Sequence, residues 1–223
     1  MSQRLRIALT KGRLQEKSVA LFESMGLDCT PVRDPGRRLI HQLPNYPLDV
    51  VLAKAPDVIT YVEHGVCDLG VVGKDTLLEA GRPLYEVLDL TFGRCKLCVA
   101  GYADHSNASV TRATFRVATK YPNIARNYYG ARGQTIEIIE LHGSVELGPV
   151  IGLSDVILDI VESGSTLRAN GLTVLETVCD DVSARLVVNR VSLKTKRERI
   201  RALIDGLARQ VAALSDASRE GTP

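Results

Sequence analysis

The chain has no marked excess of either charge. Across its 223 residues, 28 Lys and Arg stand against 26 Asp and Glu, a formal net charge of +2. A nucleic-acid surface needs a concentrated basic patch, so no nucleic-acid partner is expected. Long hydrophobic runs are missing as well. Near the amino terminus Ile7-Ala8-Leu9 follows Arg4 and Arg6 and is far too short for the apolar region of an export signal. A cytoplasmic protein without a membrane partner is the expectation. Cysteines in metal-ligand pairs are also absent: Cys29, Cys67, Cys95, Cys98 and Cys179 form an odd set, and reduced thiols are the default. Cys95-Lys96-Leu97-Cys98 has the spacing of a redox dithiol, but Lys96-Leu97-Cys98-Val99-Ala100 reads as a buried strand, which argues against a redox role. His41, His64, His105 and His142 are scattered singly and support no zinc site. Neither an internal repeat nor a long low-complexity linker is visible.

What is present is ordinary globular material: 45% hydrophobic and 24% charged residues, enough for one large core or two modest ones. Short apolar segments alternate with helical patterns, which predicts an α/β architecture with mostly parallel sheets. Strands are expected at 5–9, 48–53, 69–72, 87–90, 97–100, 116–118, 136–141, 156–160, 174–178 and 186–188. A helix follows Gly12, with Leu14, Leu21, Phe22 and Met25 on one face and Gly26 ending it. Ile200, Leu203, Ile204, Leu207, Val211 and Leu214 recur at helical spacing near the carboxy terminus, with Thr195 and Glu198 read as a capping box.

The most informative stretch runs from Val156 to Leu167, where a β-branched apolar run stops at Asp159, Glu162, Ser163, Gly164, Ser165 and Thr166. Backbone N–H groups and hydroxyls at 163–166 can converge on one phosphate. Asp159 and Glu162 would repel bare phosphate, yet they accept hydrogen bonds from sugar hydroxyls and suit magnesium. A ligand with all three parts is phosphoribosyl pyrophosphate. The plain alternative is a buried strand ending in a turn. Asp155 lies four residues before Asp159, a spacing that puts both on one side of a strand or helix. Lys11-Gly12-Arg13 follows a strand and opens a helix, a place where amides, dipole and two cations favour an anion; a solvated basic helix start is the alternative. Gly70-Val71-Val72-Gly73-Lys74-Asp75 is not a Walker A loop, because two residues separate the glycines and Asp75 replaces the magnesium-binding hydroxyl. Gly73 and Lys74 can still bind phosphate, while Asp75 can simply cap a helix. Glu140, near Gly143-Ser144, is a candidate for ribose or magnesium and equally an ordinary surface carboxylate.

The 156–167 stretch with its continuation Leu167-Arg168-Ala169-Asn170-Gly171-Leu172 resembles the phosphoribosyl-pyrophosphate loop of one family, the ATP phosphoribosyltransferases that open histidine biosynthesis. Leu9-Thr10-Lys11-Gly12-Arg13-Leu14, Tyr61-Val62-Glu63-His64-Gly65 through Asp75, His142-Gly143-Ser144-Val145-Glu146 and Ala184-Arg185-Leu186-Val187-Val188-Asn189 resemble that family in the same order.

The resemblance implies a two-lobed fold like that of type II periplasmic binding proteins, with the active site in the cleft between lobes. It implies one lobe from 1–93 plus 183–223 and a second from 94–182. It implies transfer of the phosphoribosyl group to a ring nitrogen of ATP with release of pyrophosphate and help from magnesium. Lys11, Arg13 and Lys54 are then the cations near the leaving group, and no Ser–His–Asp or Cys–His set is required. Arg37 or Arg38 approaches ATP, Arg37 being preferred; arginine suits this task because its plane stacks on a purine while its fork binds phosphate. Lys54 and Ile59 stand where the family usually has arginine and proline, and lysine keeps the charge but loses the fork. The chain looks like the short form, which works in a hetero-oligomer with a separate regulatory subunit resembling histidyl-tRNA synthetase. The alternatives are a solute-binding module of the same architecture and a nucleobase phosphoribosyltransferase.

Overall fold

The structure, a computed structural model, describes residues 4–103 and 114–220; His105 lies outside them. Along the chain come β1 (Leu5–Thr10), α1 (Arg13–Ser24), α2 (Thr30–Arg33), β2 (Ile40–Gln42), β3 (Leu48–Ala53), α3 (Ala55–Glu63), β4 (Leu69–Gly73), α4 (Lys74–Ala80) and β5 (Tyr85–Asp89). They are followed by β6 (Cys95–Gly101), β7 (Phe115–Thr119), α5 (Pro122–Gly130), β8 (Ile136–Glu140), α6 (Leu147–Val150), β9 (Val156–Val161), α7 (Ser165–Ala169), β10 (Thr173–Val182), β11 (Ala184–Val188), α8 (Arg190–Thr195) and α9 (Arg197–Glu220). The chain forms two compact units, Met1–Gly93 with Ser183–Pro223, and Arg94–Val182.

In unit 1 the sheet order is β2-β3-β1-β4-β11-β5. Alternation along β1 sends Leu5, Ile7 and Leu9 to one face, where they meet Phe22 of α1 and Ile200, Leu203 and Leu207 of α9. Ala8, on the other face, packs with Val58, Ile59 and Val62 of α3. Both faces are therefore covered, which is why these strands read as nearly continuous apolar runs. The end of α1 closes as the sequence suggests: Gly26 N donates to Glu23 O at 2.8 Å and Leu27 N to Phe22 O at 3.1 Å. In unit 2 the order is β10-β6-β9-β7-β8. Leu97, Val117, Val156 and Leu158 face Ile124 and Tyr129 of α5, and Ala118 and Ile157 face Leu167 of α7.

Two expectations need correction. The sheets are mixed rather than mostly parallel: β1 pairs in parallel with β3 and β4, and β7 with β8 and β9, but β11 is antiparallel to β4 and β5, and β6 is antiparallel to β9 and β10. Hydrophobic periodicity identifies a strand but not the direction of its neighbour. Thr195 does not open a capping box, since it ends α8 and its Oγ1 donates back to Val191 O at 3.0 Å. The cap that forms is Asn189, whose side chain accepts from Val191 N at 3.0 Å and Ser192 N at 2.9 Å.

Candidate active site

Each unit contains three adjacent parallel strands, β3-β1-β4 and β8-β7-β9, whose carboxyl ends lie on one edge. In each, the chain moves from the central strand to one neighbour and then crosses to the other, so strand order reverses beside β1 and beside β7. Loops leaving the two strands at such a point part to opposite faces and leave a crevice, the usual ligand position in open α/β sheets. The packing shows this parting: α1 and α5 lie on one face of their sheets, α4 and α7 on the other.

At the unit 1 edge, Thr10 and Ala53 are side by side, and Lys11 N donates to Ala53 O at 2.9 Å. Gly12 has φ 90 and ψ −143, and nothing would crowd a Cβ there, so the backbone conformation is what calls for glycine. Gly12 has no side chain with which to cap α1, and the side chain of Lys54 does not cap α3. Lys11, Arg13 and Lys54 are exposed on this edge. Arg37 and Arg38, also exposed, lead into β2, which runs antiparallel to β3 with Ile40 opposite Val51; they therefore approach the end of β3 where Lys54 begins. The fold thus gathers Lys11, Arg13, Lys54, Arg37 and Arg38 along one stretch of edge.

Gly73 and Lys74 lie on the same edge in a different setting. Lys74 Nζ meets Glu86 Oε2 at 2.6 Å, and Glu86 also takes Arg185 Nη1 at 3.1 Å. Asp89 continues this network by accepting from Ser183 Oγ at 2.6 Å and Thr91 N at 2.7 Å. Asp75 folds against Gly73 so closely that a Cβ on Gly73 would lie 2.1 Å from its Oδ1. Lys74 is therefore neutralised within its own unit.

At the unit 2 edge, β9 runs into a turn that its own side chains organise. Gly164 sits in the left-handed region at φ 68 and ψ 12, where a β-branched residue is strained. Ser163 Oγ and Ser165 Oγ lie 3.0 Å apart, and Ser165 N donates to Ser163 Oγ at 3.3 Å. Arg168 Nη1 donates to Ser163 O at 3.0 Å and straps the turn to α7, while Leu167 is buried beneath it. Asp159 is half-buried, its Oδ1 accepting from Ile160 N at 2.8 Å; Glu162, Ser163, Ser165 and Thr166 are exposed. Glu140 ends β8 opposite Thr119 and is exposed. Ser144, in the following loop, has φ 48, a strain on the order of 1–3 kcal/mol of the kind found at functional edges.

Asp155 is not brought to this turn. It precedes β9, four residues of extended chain or about 13 Å from Asp159. Its buried carboxylate accepts from Arg116 N at 2.8 Å and Arg116 Nη2 at 3.3 Å. Side parity is right, but the strand end is wrong. The motifs assign no role to Arg168, which straps the turn, or to Lys120 directly after β7. A lysine beside a strand has no local signature, and only strand order puts Lys120 beside the crevice.

Among the described residues, no group of three or more His, Cys, Asp or Glu is arranged to hold a metal ion, and no helix is long and apolar enough to cross a membrane. None of the described cysteines is in a disulfide, and burial pushes Cys29 and Cys67 up to about 11, where little thiolate exists for nucleophilic work.

Known proteins carry the same pattern. The HisG family of ATP phosphoribosyltransferases matches residues 54–209. An ATP phosphoribosyltransferase of Alkaliphilus metalliredigens is 58% identical over 204 residues, 92% of this chain and 96% of that one. That of Clostridium kluyveri is 50% identical over 217 residues, covering 97% and 98%. Among solved structures, a chain of the ATP phosphoribosyl transferase (HisG:HisZ) complex from Thermotoga maritima superposes with TM-score 0.81 at 32% identity, covering 94% of this chain and 99% of that one. The periplasmic aliphatic sulphonate binding protein SsuA from Escherichia coli matches with TM-score 0.59 at 16% identity over 99% of this chain and 76% of its own, a likeness of two-lobed α/β fold alone. The chain therefore belongs to the ATP phosphoribosyltransferase family, whose members transfer the phosphoribosyl group of phosphoribosyl pyrophosphate to ATP and release pyrophosphate in the first step of histidine biosynthesis.

Proposed function

We propose that in this reaction the turn after β9 takes phosphoribosyl pyrophosphate, with Ser163, Gly164, Ser165 and Thr166 around a phosphate and Asp159 and Glu162 accepting hydrogen bonds from the ribose hydroxyls. Lys11, Gly12 and Arg13 hold pyrophosphate, Lys54 stabilises it as it leaves, and Arg37, ahead of Arg38, meets ATP. Glu140 assists at the ribose side. Gly73 and Lys74 shape the edge, because Lys74 is ion-paired to Glu86. The observation that supports this reading most is the Gly164 turn, held in a left-handed conformation by Arg168 on Ser163 O and by the paired serine hydroxyls. A preorganised turn binds an anion without first having to order itself.

The chemistry needs alignment rather than a covalent nucleophile. A ring nitrogen of adenine attacks the anomeric carbon as the bond to pyrophosphate breaks, and the bonding electrons leave with pyrophosphate. Positive charge collects on the ribose ring and negative charge on the leaving group. A carboxylate at the sugar and cations at the pyrophosphate stabilise both ends, and more strongly in the transition state than before it. Magnesium, when bound, supplies further neutralisation of the leaving group. Asp159 and Glu162 are the residues that would hold it, one or two carboxylates being what a magnesium carried by substrate phosphates takes.

The test is to supply phosphoribosyl pyrophosphate with ATP, then with free nucleobases, and to measure pyrophosphate. Release with ATP alone is expected. Release with a nucleobase instead would turn the reading to a nucleobase phosphoribosyltransferase, and binding without turnover to a solute-binding module.

We also infer that the chain works in a hetero-oligomer with a regulatory subunit resembling histidyl-tRNA synthetase; the HisG:HisZ complex of the Thermotoga maritima relative supports this. Histidine should inhibit the isolated chain little and the mixture strongly. Potent, saturable inhibition without the partner, not competitive with substrate, would overturn it.

A further inference from the structure

Two Thr-Lys pairs occupy equivalent places in the two units. In unit 1 the central strand ends Leu9-Thr10-Lys11, and Thr10 Oγ1 donates to Val71 O of β4 at 2.8 Å. In unit 2 the central strand ends Ala118-Thr119-Lys120, and Thr119 Oγ1 donates to Leu158 O of β9 at 2.6 Å. Each threonine bridges from the central strand to the strand across the point of reversed order, Thr119 from the last rung of its ladder and Thr10 from one residue beyond the last rung of its own. The other side is closed by Lys11 N on Ala53 O at 2.9 Å and by Leu141 N on Thr119 O at 3.0 Å. The next residue is a lysine in both units, the first beyond the central strand, where the loops part. Lys120 is exposed, and among the described residues its ammonium makes no hydrogen bond or ion pair.

We propose that Lys120 is a phosphate-binding residue, the counterpart in unit 2 of Lys11 in unit 1, and that it contacts a phosphate group of phosphoribosyl pyrophosphate. The inference rests on the reading of 163–166 as the loop for that substrate. Charge supports it: Asp159 and Glu162 on the β9 side suit ribose but oppose phosphate, and the nearby Arg168 guanidinium is turned onto Ser163 O. A cation on the β7 side of the crevice offsets the carboxylates. Lys120 is the residue whose backbone lies there, whereas Lys96 starts β6, across β9 from the crevice and opposite Val161.

The test is calorimetric titration of the full chain with phosphoribosyl pyrophosphate, ribose 5-phosphate and inorganic pyrophosphate, using Lys120→Ala, Lys120→Arg, Lys96→Ala and Gly164→Val. Lys120→Ala should weaken phosphoribosyl pyrophosphate by about tenfold to a hundredfold, the loss of one charge-assisted hydrogen bond, with an unchanged melting temperature. Lys120→Arg should keep most of the affinity. A matching loss for ribose 5-phosphate alone assigns the contact to the 5-phosphate, and one for pyrophosphate alone assigns it to the leaving group; both support the proposal. Unchanged affinity in Lys120→Ala, or a loss no greater than in Lys96→Ala, overturns it. If Gly164→Val abolishes binding while Lys120→Ala does not, the loop stands and Lys120 falls. If Gly164→Val binds normally, the loop assignment fails and takes this proposal with it.

Discussion

The two units share one strand plan and differ in what they carry at its edge. Unit 1 orders its strands β3-β1-β4-β11-β5 with β2 added outside, and unit 2 orders them β8-β7-β9-β6-β10; the parallel trio and the two antiparallel strands correspond one to one. Each has a central strand ending in Thr-Lys and a threonine hydroxyl bonded across to the next strand. Yet the edge of unit 1 collects Lys11, Arg13, Lys54, Arg37 and Arg38, while that of unit 2 collects Asp159, Glu162, Glu140 and the hydroxyls of Ser163, Ser165 and Thr166. Strand order decides where a crevice opens, and loop residues decide what it holds. A cationic edge suits pyrophosphate and ATP; an edge of carboxylates and hydroxyls suits a phosphorylated sugar.

Four measurements would break or sharpen this contrast. The largest effect is expected from Gly164→Val, which puts a β-branched residue at φ 68 and blocks backbone approach to phosphate. Binding of phosphoribosyl pyrophosphate should vanish in calorimetry while circular dichroism stays native, and normal affinity would remove the turn from the sugar-phosphate side. Next is Lys54→Ala on the cationic edge. Loss of one contact to developing charge costs roughly 2–4 kcal/mol of barrier, so single-turnover rate should fall far more than substrate affinity. Lys54→Arg should be tolerated or faster, and a normal chemical rate in Lys54→Ala would move this residue off the reaction path.

Asp155→Asn should behave in the opposite way from either. Its carboxylate serves Arg116 at the other end of β9, so stability should drop by about 1–3 kcal/mol with kcat/KM unchanged. A loss of phosphoribosyl pyrophosphate affinity in a well-folded variant would return Asp155 to the site. The smallest effect concerns unit 1, where burial holds His41 below its usual 6.5. The unfolded chain then binds that proton more readily, so His41 contributes stability above pH 6.5 that declines as pH falls from there toward its folded value. Urea melts above and below that pH should show the decline in wild type and a shallower one in His41→Gln.

Much of the fold was legible because apolar runs bounded by turn residues mark strands whatever lies around them. β3 was located to the residue, and α1 was delimited by Gly12 and Gly26. β2 was missed since its three residues, Ile40-His41-Gln42, are too few to show a period. α8 was missed since it sits between a strand and a longer helix and is signalled only by Asn189. At the candidate site, the turn at 159–166 could be read because its chemistry is contiguous, whereas the likeness between the two edges could not, since all that betrays it in the sequence is a repeated Thr-Lys.

The sequence by itself determined every strand but β2, the helices α1 and α9 and, through spaced resemblances from Leu9 to Asn189, the family. Those features are local, set by side-chain period and by backbone preferences within a few residues. Only the tertiary structure decided that Arg37 and Arg38 stand near Lys54, that Lys74 is neutralised by Glu86, that Asp155 is bonded to Arg116 at the other end of β9 from the turn, and that Lys120 stands at the crevice. Each of these depends on which strand lies beside which and on the direction it runs, and strand pairing between distant segments is a choice made by packing rather than by any single segment.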